Sequence, residues 1–288
     1  MNRRTFLQQT GLGLAGLTMG NTMSHSFAAE QQAKNLMPVL FVGHGTPMNA
    51  LEDSEFSRAW MAMVPSSPNP KAILAISAHW ETEGAAVTAM PKPRTIHDFY
   101  GFPPELFAVQ YPAPGSPELA RRIHEMLGRE HIELDHEWGL DHGTWSVLVR
   151  MFPKATIPVV QLSLDRKRSS AEHYALAGQL AALRAEGVLI FCSGNIVHNL
   201  RLLDWSGKPA EWAVAFDRTV KMLIEKRDHA ALVAYNTLGP DSCRAIPTAE
   251  HYLPMLYALA LRGAAEPLKF FAEGISLGSL SMRSFQIG

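Results

Sequence analysis

Short apolar runs alternate along this chain with longer amphipathic stretches, and each run ends in small or polar residues. Three of the runs are Val39-Leu-Phe-Val-Gly43, Ala72-Ile-Leu-Ala-Ile-Ser-Ala78 and Val188-Leu-Ile-Phe-Cys-Ser-Gly194. Continuous apolar runs of this length are typical of strands buried on both faces. The pattern predicts buried strands over 38–43, 72–81, 157–163 and 188–194, and a further strand over 85–90.

The amphipathic stretches predict helices between these strands. The helix that begins after Ser116 has a serine N-cap with proline at its first position, and Leu119, Ile123 and Leu127 recur on one face. The predicted helices cover 55–64, 116–129, 171–186, 210–226, 228–236 and 249–263, and a short helix ends near Pro153. The tail over 275–285 alternates loosely and predicts an edge strand.

Strands that alternate with helices predict an α/β protein. With 288 residues and 47% hydrophobic residues, the chain can bury a full core. We expect a single domain with a mixed, mostly parallel central sheet flanked by helices. Because open α/β sheets bind ligands at the carboxyl ends of their strands, we expect the functional site there.

The first 29 residues differ in kind from the rest. Arg3-Arg4 precedes a glycine- and leucine-rich stretch, and small residues follow at Ala28-Ala29. This pattern predicts a cleaved twin-arginine export signal over 1–29, a mature domain over 30–288, contact with the twin-arginine translocase and a periplasmic or exported protein. The alternative, a membrane anchor, is disfavoured because the apolar stretch is short and rich in glycine.

The net charge of the chain limits the kinds of molecule it is expected to bind. The formal net charge is -1, which provides no electrostatic attraction to nucleic acid or to an anionic membrane. We therefore expect a small-molecule substrate and no nucleic acid.

Of the two cysteines, Cys192 lies in an apolar strand and is predicted to be a packed thiol. A disulfide to Cys243 is permitted by an oxidising compartment, but the spacing does not imply it.

Histidines follow the predicted strands at the points where those strands end. His44 follows the first strand, His79 ends the second, and His198 comes shortly after the strand over 188–194. His251 falls in the first turn of the predicted helix over 249–263, which has Thr248 as its N-cap. The positive end of the helix dipole would keep the ring of His251 neutral there.

Four imidazoles at one edge of a sheet can bind a metal, do general acid/base chemistry, or do neither. Their placement on strand ends and at a helix start favours metal. The remaining histidines in charged segments are expected to be exposed and non-catalytic: His124, His131, His173 and His229.

A long irregular stretch from Pro91 to Pro117 is dense in proline and aromatic residues. Irregular segments of this length inside a compact domain are usually functional, and this one is expected to form a wall or lid over a pocket. The alternative is a surface loop whose aromatic side chains only fix it to the core.

Seven motifs follow one another along the chain. They are Gly43-His-Gly-Thr-Pro47, Ser77-Ala-His-Trp80, Thr95-Ile-His-Asp-Phe-Tyr-Gly-Phe-Pro103, Gln110-Tyr-Pro-Ala-Pro-Gly115, Leu140-Asp-His-Gly-Thr-Trp145, Gly194-Asn-Ile-Val-His-Asn199 and Glu250-His-Tyr252. Together they resemble the 4,5-DOPA dioxygenase extradiol family, a branch of the class III extradiol ring-cleavage dioxygenases related to the B subunit of protocatechuate 4,5-dioxygenase. The resemblance spans essentially the whole predicted mature chain.

The resemblance implies one divalent metal ion per chain. It implies His44 and His79 as ligands, and in this branch also His198 and His251. The family resemblance suggests Zn²⁺, whereas O₂ chemistry requires Fe²⁺, with Mn²⁺ as an alternative, because zinc has no accessible redox couple. An all-histidine set departs from the usual two-histidine, one-carboxylate iron site, and Glu81 or Glu250 could supply an oxygen ligand.

The implied activity is ring cleavage of a DOPA-like catechol with O₂. In this hypothesis His198 takes a hydroxyl proton as the catalytic base, and His142 hydrogen-bonds the oxygen species or returns a proton. For His142 a purely structural hydrogen bond stays open. The pocket wall is expected to contain His97, Asp98, Phe99 and Tyr111. Two other functions stay open on the same residues, a zinc-dependent hydrolase and a non-catalytic periplasmic protein that binds metal or aromatic compounds.

Overall fold

A computed structural model of the protein describes residues 36–64, 69–128 and 132–288. Its central feature is a sheet whose inner strands pair in parallel. The strands are β1 (Val39–Gly43), β2 (Ala72–Thr82), β3 (Ala85–Thr88), β4 (Arg94–Thr95), β5 (Ile132–Asp135), β6 (Gly139–Leu140), β7 (Val159–Asp165), β8 (Val188–Gly194), β9 (Leu268–Phe271), β10 (Ile275–Ser276), β11 (Leu280–Ser281) and β12 (Ser284–Ile287). The predicted export signal over 1–29 lies outside the described residues and stays a prediction.

Eight strands form the main sheet in the order β5-β3-β7-β2-β8-β1-β12-β9. The central strands β7, β2, β8 and β1 pair in parallel, and β12 pairs antiparallel with both β1 and β9. Gly43 at the end of β1 is paired with Gly194 at the end of β8. The carboxyl ends of the central strands therefore meet at one edge, as predicted.

Ten α-helices of the described residues cover the sheet. They are α1 (Glu55–Ala62), α2 (Pro104–Phe107), α3 (Pro117–Leu127), α4 (His142–Met151), α5 (Ser170–Gly178), α6 (Ala182–Ala185), α7 (Glu211–Lys226), α8 (His229–Val233), α9 (Ser242–Ala245) and α10 (Leu253–Ala260). Alternate residues of β1 enter two separate apolar cores. Val39 and Phe41 pack with residues of α3, α5, α7 and α10, whereas Leu40 and Val42 pack with α1, α2 and α4. The prediction of an α/β fold with a mostly parallel sheet is confirmed.

The predicted helix over 249–263 begins later than expected. Helix α10 starts at Leu253, and the hydroxyl of Thr248 donates to Glu250 instead of capping the helix. Proline at 254 explains the difference, because it has no N–H to donate and its ring would clash with the carbonyl of residue 250 inside a helix. His251 thus lies in the turn before the helix, and the predicted dipole effect on its ring does not apply as stated.

Two further predictions about local structure were wrong. The tail does not form an edge strand, because β12 pairs with β1 on one side and β9 on the other. The predicted helix over 171–186 is interrupted after Gly178 by a short 3₁₀ turn, Gln179–Ala181. Glycine favours such an interruption because it lowers helix propensity.

The prediction of an exposed His173 was also wrong. This ring is 1% exposed, accepts a hydrogen bond from the hydroxyl of Tyr257 at 2.9 Å, and donates from Nε2 to the carbonyl of Asp165 at 3.1 Å. Burial lowers its pKa from 6.5, although Asp165 and Glu172 act in the opposite direction and Arg168 adds to the lowering. The ring is therefore a neutral structural element of the core.

We expect His173 to make the fold sensitive to acid. Below about pH 6.5, His173 binds a proton in the unfolded chain but stays neutral in the folded protein. The free energy of unfolding therefore falls as the pH drops, until the folded ring is also protonated. Urea denaturation of wild type and His173→Gln between pH 7.5 and 4.5 measures this. The variant should have the flatter profile over this range. Parallel profiles would contradict the expectation.

The two cysteines are both free thiols, Cys192 buried in β8 and Cys243 exposed in α9. The predicted packed thiol is confirmed. Over the described ranges, no helix is both long enough and apolar enough to span a bilayer.

Candidate metal centre

A bulge in β2 places His79 in the site. Between Ile76 and Glu81 the pairing with β7 shifts, so that four residues of β2 stand opposite the single residue Ser163. Bulges of this kind bend a strand and redirect its side chains. His79 therefore lies within the bulged part of β2 rather than after its end, and this local irregularity was not predicted.

Three histidines from separate parts of the chain bring ring nitrogens together. One nitrogen each of His44, His79 and His251 lies within 4.8 Å of the other two. The Nε2 atoms of His44 and His79 are 3.1 Å apart. Gly194 at the end of β8 permits the approach of His251, because a Cβ there would lie 2.2 Å from the carbonyl oxygen of His251.

The proton of the His44 ring can be assigned from its neighbours. Nδ1 lies 3.0 Å from the hydroxyl oxygen of Ser193, which itself donates to the carbonyl of Gly143 at 2.6 Å. Because that hydroxyl proton is already used, the serine oxygen accepts from His44, and Nδ1 carries the ring proton. The Nε2 atom of His44 is therefore a bare lone pair.

Carboxylates impose the same tautomer on the other two rings. Nδ1 of His79 lies 3.4 Å from Oδ2 of Asp98, and Nδ1 of His251 lies 3.0 Å from Oε1 of Glu250. Each Nδ1 then carries the proton, and each Nε2 is unprotonated. The Nε2 atom of His251 is buried and has no hydrogen-bond partner in the protein.

These rings stay neutral for a clear physical reason. Burial lowers the pKa of His44, His79 and His251 well below 6.5, and neighbouring imidazoles lower it further. The Nε2 atoms of His44 and His79 are 3.1 Å apart, and one ring nitrogen of His251 lies within 4.8 Å of its counterparts on those rings; neutral lone pairs this close repel unless a cation lies between them. The donor set therefore fits a divalent metal held by three imidazoles, with coordination positions left for a substrate, as in catalytic metal sites.

His198 lies beside this set but is not one of the three. Its ring stacks face to face on His251 with centroids 3.4 Å apart, and its ligand atom groups with those of Glu250 and His251. Burial, and then His142, lower its pKa to about 4. The predicted ligand role of His198 stays a prediction. Glu250 contacts Nδ1 of His251, and its carboxylate groups with the ring nitrogens of His198 and His251, so its role as an oxygen ligand stays a prediction.

His142, from the motif Leu140-Asp-His-Gly-Thr-Trp145, also lies in the cluster. His142 is the first residue of α4. Its ring centroid lies 3.8 Å from that of His79 and 5.8 Å from that of His44. Its backbone N–H donates to Oδ1 of Asp98 at 2.9 Å, and its Nδ1 lies 3.0 Å from Oδ2, off the line of a good hydrogen bond. Burial would raise the pKa of Asp98, but its contacts with His142 and His79 outweigh this and lower it.

A buried carboxylate beneath the site was missed at the sequence level. Asp141 is fully buried and accepts hydrogen bonds from the hydroxyl of Ser77 at 2.7 Å, from the N–H of Thr144 at 3.0 Å, and from the side chain of Gln161. Burial, assisted by Asp98, raises its pKa to about 6, while hydrogen bonds oppose the rise. Its position before a predicted helix is typical of an N-cap, which could have identified it.

Of the four residues predicted to form the pocket wall, two contact the histidine cluster and two lie behind them. The rings of Phe99 and His142 form a T-shaped pair with centroids 5.5 Å apart, and Asp98 reaches both His79 and His142. His97 bonds through Nε2 to the carbonyl of Val109 and packs behind Phe99. Tyr111 is 1% exposed and donates its hydroxyl to the carbonyl of Phe152, so it supports the wall from the core and does not present its hydroxyl to a ligand.

Alanine at Gly143 is expected to weaken metal binding. A Cβ there would lie 2.5 Å from Oγ of Ser77 and 2.8 Å from Cδ2 of His79, so Ser77, the His79 ring or the start of α4 must shift, and each of these shifts disturbs the surroundings of the ligand. Disturbing the orientation of a ligand typically costs 10- to 100-fold in metal affinity. Competition titration with a chromophoric chelator measures the loss. Gly178→Ala, where a Cβ meets no neighbour within 4 Å, is the matched control. Equal affinity in both variants would contradict the expectation.

Comparison with known proteins identifies the family. Residues 39–277 match the family described as the catalytic LigB subunit of aromatic ring-opening dioxygenase. The chain belongs to this family. One relative, named 4,5-DOPA dioxygenase extradiol, from Escherichia coli (strain K12), is 47% identical over 88% of this chain and 95% of its own length. A protein of the same name from Beta vulgaris is 37% identical over 88% of this chain and 97% of its own length.

A solved structure agrees with the family assignment. The crystal structure of an uncharacterized protein from Escherichia coli K12 covers 88% of this chain and 100% of its own, with 45% sequence identity and a TM-score of 0.76. The protein is thus a metal-dependent extradiol dioxygenase by family, and its imidazole cluster is the candidate metal centre.

Proposed function

We propose that this protein opens the aromatic ring of a DOPA-like catechol with O₂ and that Fe(II) is its working metal. The convergence of one ring nitrogen each of His44, His79 and His251, on rings whose Nδ1 atoms face partners of their own, carries this proposal. The names of the relatives support the substrate class. The requirement for O₂ chemistry supports iron over zinc.

In this proposal His44, His79 and His251 would hold the ion through Nε2. Bound Fe(II) supplies the one-electron chemistry that allows O₂ to react with an organic ring. Ser193, Asp98 and Glu250 would hold the three rings in orientation, as the outer partners of metal-bound histidines commonly do. The protein would thus hold three neutral imidazole ligands in fixed orientations.

The other groups act on the substrate. His198 and His142 belong to the same imidazole cluster, one stacked on His251 and the other beside His79. We place a catechol between them, where His198 takes a proton from one hydroxyl and His142 hydrogen-bonds the substrate oxygen. Phe99, whose ring is nearly perpendicular to that of His142, would pack against the aromatic ring of the substrate and exclude water.

Reconstitution of the metal-free protein tests the proposal. The apoprotein is loaded anaerobically with Fe(II), with Zn²⁺, or with neither, and is then given DOPA and simpler catechols in air-saturated buffer. We expect a yellow semialdehyde and stoichiometric O₂ uptake in the Fe(II) sample alone. Ester or amide hydrolysis in the Zn²⁺ sample without ring cleavage would indicate the hydrolase instead. Metal binding without any turnover would indicate a binding protein.

We also propose that the protein is exported by the twin-arginine translocase. The Arg3-Arg4 pair and the small-residue exit before residue 30 support this. A pathway that exports folded proteins would allow the metal to be chosen inside the cell, away from competing Cu²⁺ and Zn²⁺. Replacing both arginines with lysine should retain the full-length protein in the cytoplasm, as cell fractionation would measure. Unchanged export of that variant would contradict the proposal.

A further inference from the structure

One carboxylate, that of Asp98, contacts two imidazoles that have different roles in the proposed reaction. Its Oδ2 lies 3.4 Å from Nδ1 of His79 and 3.0 Å from Nδ1 of His142. Its Oδ1 accepts the backbone N–H of His142 at 2.9 Å. The side chain is 19% exposed, so its contacts are only partly open to water.

We propose that Asp98 is a positioning residue that fixes the tautomer and the separation of His79 and His142 together, so that one ring offers Nε2 to the metal and the other offers Nε2 to the substrate. This inference rests on the proposed function. It adds a role for Asp98 beyond shaping the pocket wall.

Electrostatics decides which nitrogen of each ring carries the proton. A bare Nδ1 lone pair at 3.0 to 3.4 Å from a carboxylate oxygen would be repelled, whereas an N–H is attracted. The proton therefore lies on Nδ1 of both rings, and Nε2 of both is an acceptor. The off-line contact to His142 does not change this preference. In enzymes without a bound substrate, catalytic hydrogen bonds are often poorly aligned.

Helix capping does not account for Asp98. The N-cap of α4 is Asp141, whose side chain already accepts the N–H of Thr144. Asp98 comes instead from the irregular segment over 91–117, and it holds the first residue of α4 through both its backbone and its ring. A base that is oriented by a carboxylate on its other ring nitrogen is the arrangement that many hydrolytic enzymes use.

The chemical consequence concerns one proton. With Nδ1–H facing Asp98, the bare Nε2 of His142 can accept a hydrogen bond from the catechol hydroxyl that His198 does not deprotonate, and can then take its proton. The O–H bond breaks, a new N–H bond forms, and the resulting imidazolium is stabilised by the Asp98 carboxylate. The same proton is then available for return to the opened product, so His142 ends the cycle as it began.

The wild-type protein provides the first test. Long-range ¹H–¹⁵N NMR spectra of the Zn²⁺-loaded protein distinguish the two neutral histidine tautomers; the His142→Ala spectrum assigns the His142 ring, and side-chain-to-backbone correlations assign the His79 ring. We expect Nδ1–H for both. An Nε2–H tautomer at His142 would overturn the proposal. This measurement needs no turnover, so it is independent of whether catechol cleavage is the reaction.

The second test replaces the carboxylate. In Asp98→Asn, the amide can present N–H to the rings and favour the wrong tautomer. We expect Zn²⁺ affinity to fall about 10- to 100-fold through His79. At saturating Fe(II), we expect kcat to fall about 10²- to 10⁴-fold through His142. Asp204→Asn, a surface carboxylate that accepts the N–H of Ser206, is the matched control and should change neither.

A double variant separates positioning from general loss of structure. In His142→Ala at saturating Fe(II), the addition of Asp98→Asn should change kcat by less than about threefold, because the ring through which Asp98 affects kcat is absent. The loss of Zn²⁺ affinity should persist, because His79 is still present. Independent, multiplying losses of kcat would overturn the proposal, as would an Asp98→Asn protein with wild-type Zn²⁺ affinity and wild-type kcat.

Discussion

Replacing His79 with alanine is expected to abolish metal binding and, with it, ring cleavage. The variant removes the Nε2 donor that lies 3.1 Å from Nε2 of His44 and leaves two imidazoles to hold the ion. Structural and catalytic metal sites in proteins typically need at least three protein ligands. Elemental analysis after dialysis against a weak chelator should give a metal content near zero, compared with about one ion per chain in the wild type.

A second histidine serves as the control for this prediction. His229 bonds through Nδ1 to the hydroxyl of Tyr174 and contacts α5 rather than the cluster, so His229→Ala should keep the metal. If His79→Ala retained its metal under the same dialysis, the ion would be bound elsewhere. The assignment of the three Nε2 donors would then be wrong.

Replacing His142 with alanine is expected to leave the metal in place and to remove most of the turnover. The ring lies beside His79 but is not one of the three nitrogens that meet within 4.8 Å of one another around His44. Loss of an acid/base group typically lowers the rate about 10²- to 10⁴-fold. This corresponds to about 3 to 5 kcal/mol of the activation barrier. Steady-state O₂ uptake of the Fe(II)-loaded protein measures kcat, and elemental analysis confirms the metal.

The control for His142 is a histidine on the far side of the sheet. His124 of α3 bonds through Nδ1 to the carbonyl of Ile132, and His124→Ala should keep both metal and kcat. A His142→Ala protein with full metal and wild-type kcat would show that the ring has only a structural role. Loss of metal in that variant would instead make His142 a ligand.

The strands were predictable because their signal is local. The run over 188–194 became β8 with the same bounds, and the run over 38–43 became β1 one residue shorter. Side chains buried on both faces require continuous apolar residues, whatever the rest of the chain does. For the same reason, the placement of His44 directly after β1 could be read from the sequence.

Two predictions that depended on distant contacts were wrong. His173 lies in a charged segment, yet its ring is buried in the core, where it is hydrogen-bonded to Tyr257, 84 positions away in sequence. The tail was expected at an edge, yet β12 lies between β1 and β9. No pattern within either segment indicates which other segment will pack against it.

The sequence by itself determined the strands, the family and the histidines from which a metal site is built. Only the tertiary structure decided how those histidines act. The His44 ring is oriented by Ser193, which is 149 positions away, and the His79 ring is oriented by Asp98 from the irregular wall segment. A ring nitrogen is protonated or bare according to its hydrogen-bond partner, and the partner is chosen by the neighbouring strand or loop rather than by the adjacent residues.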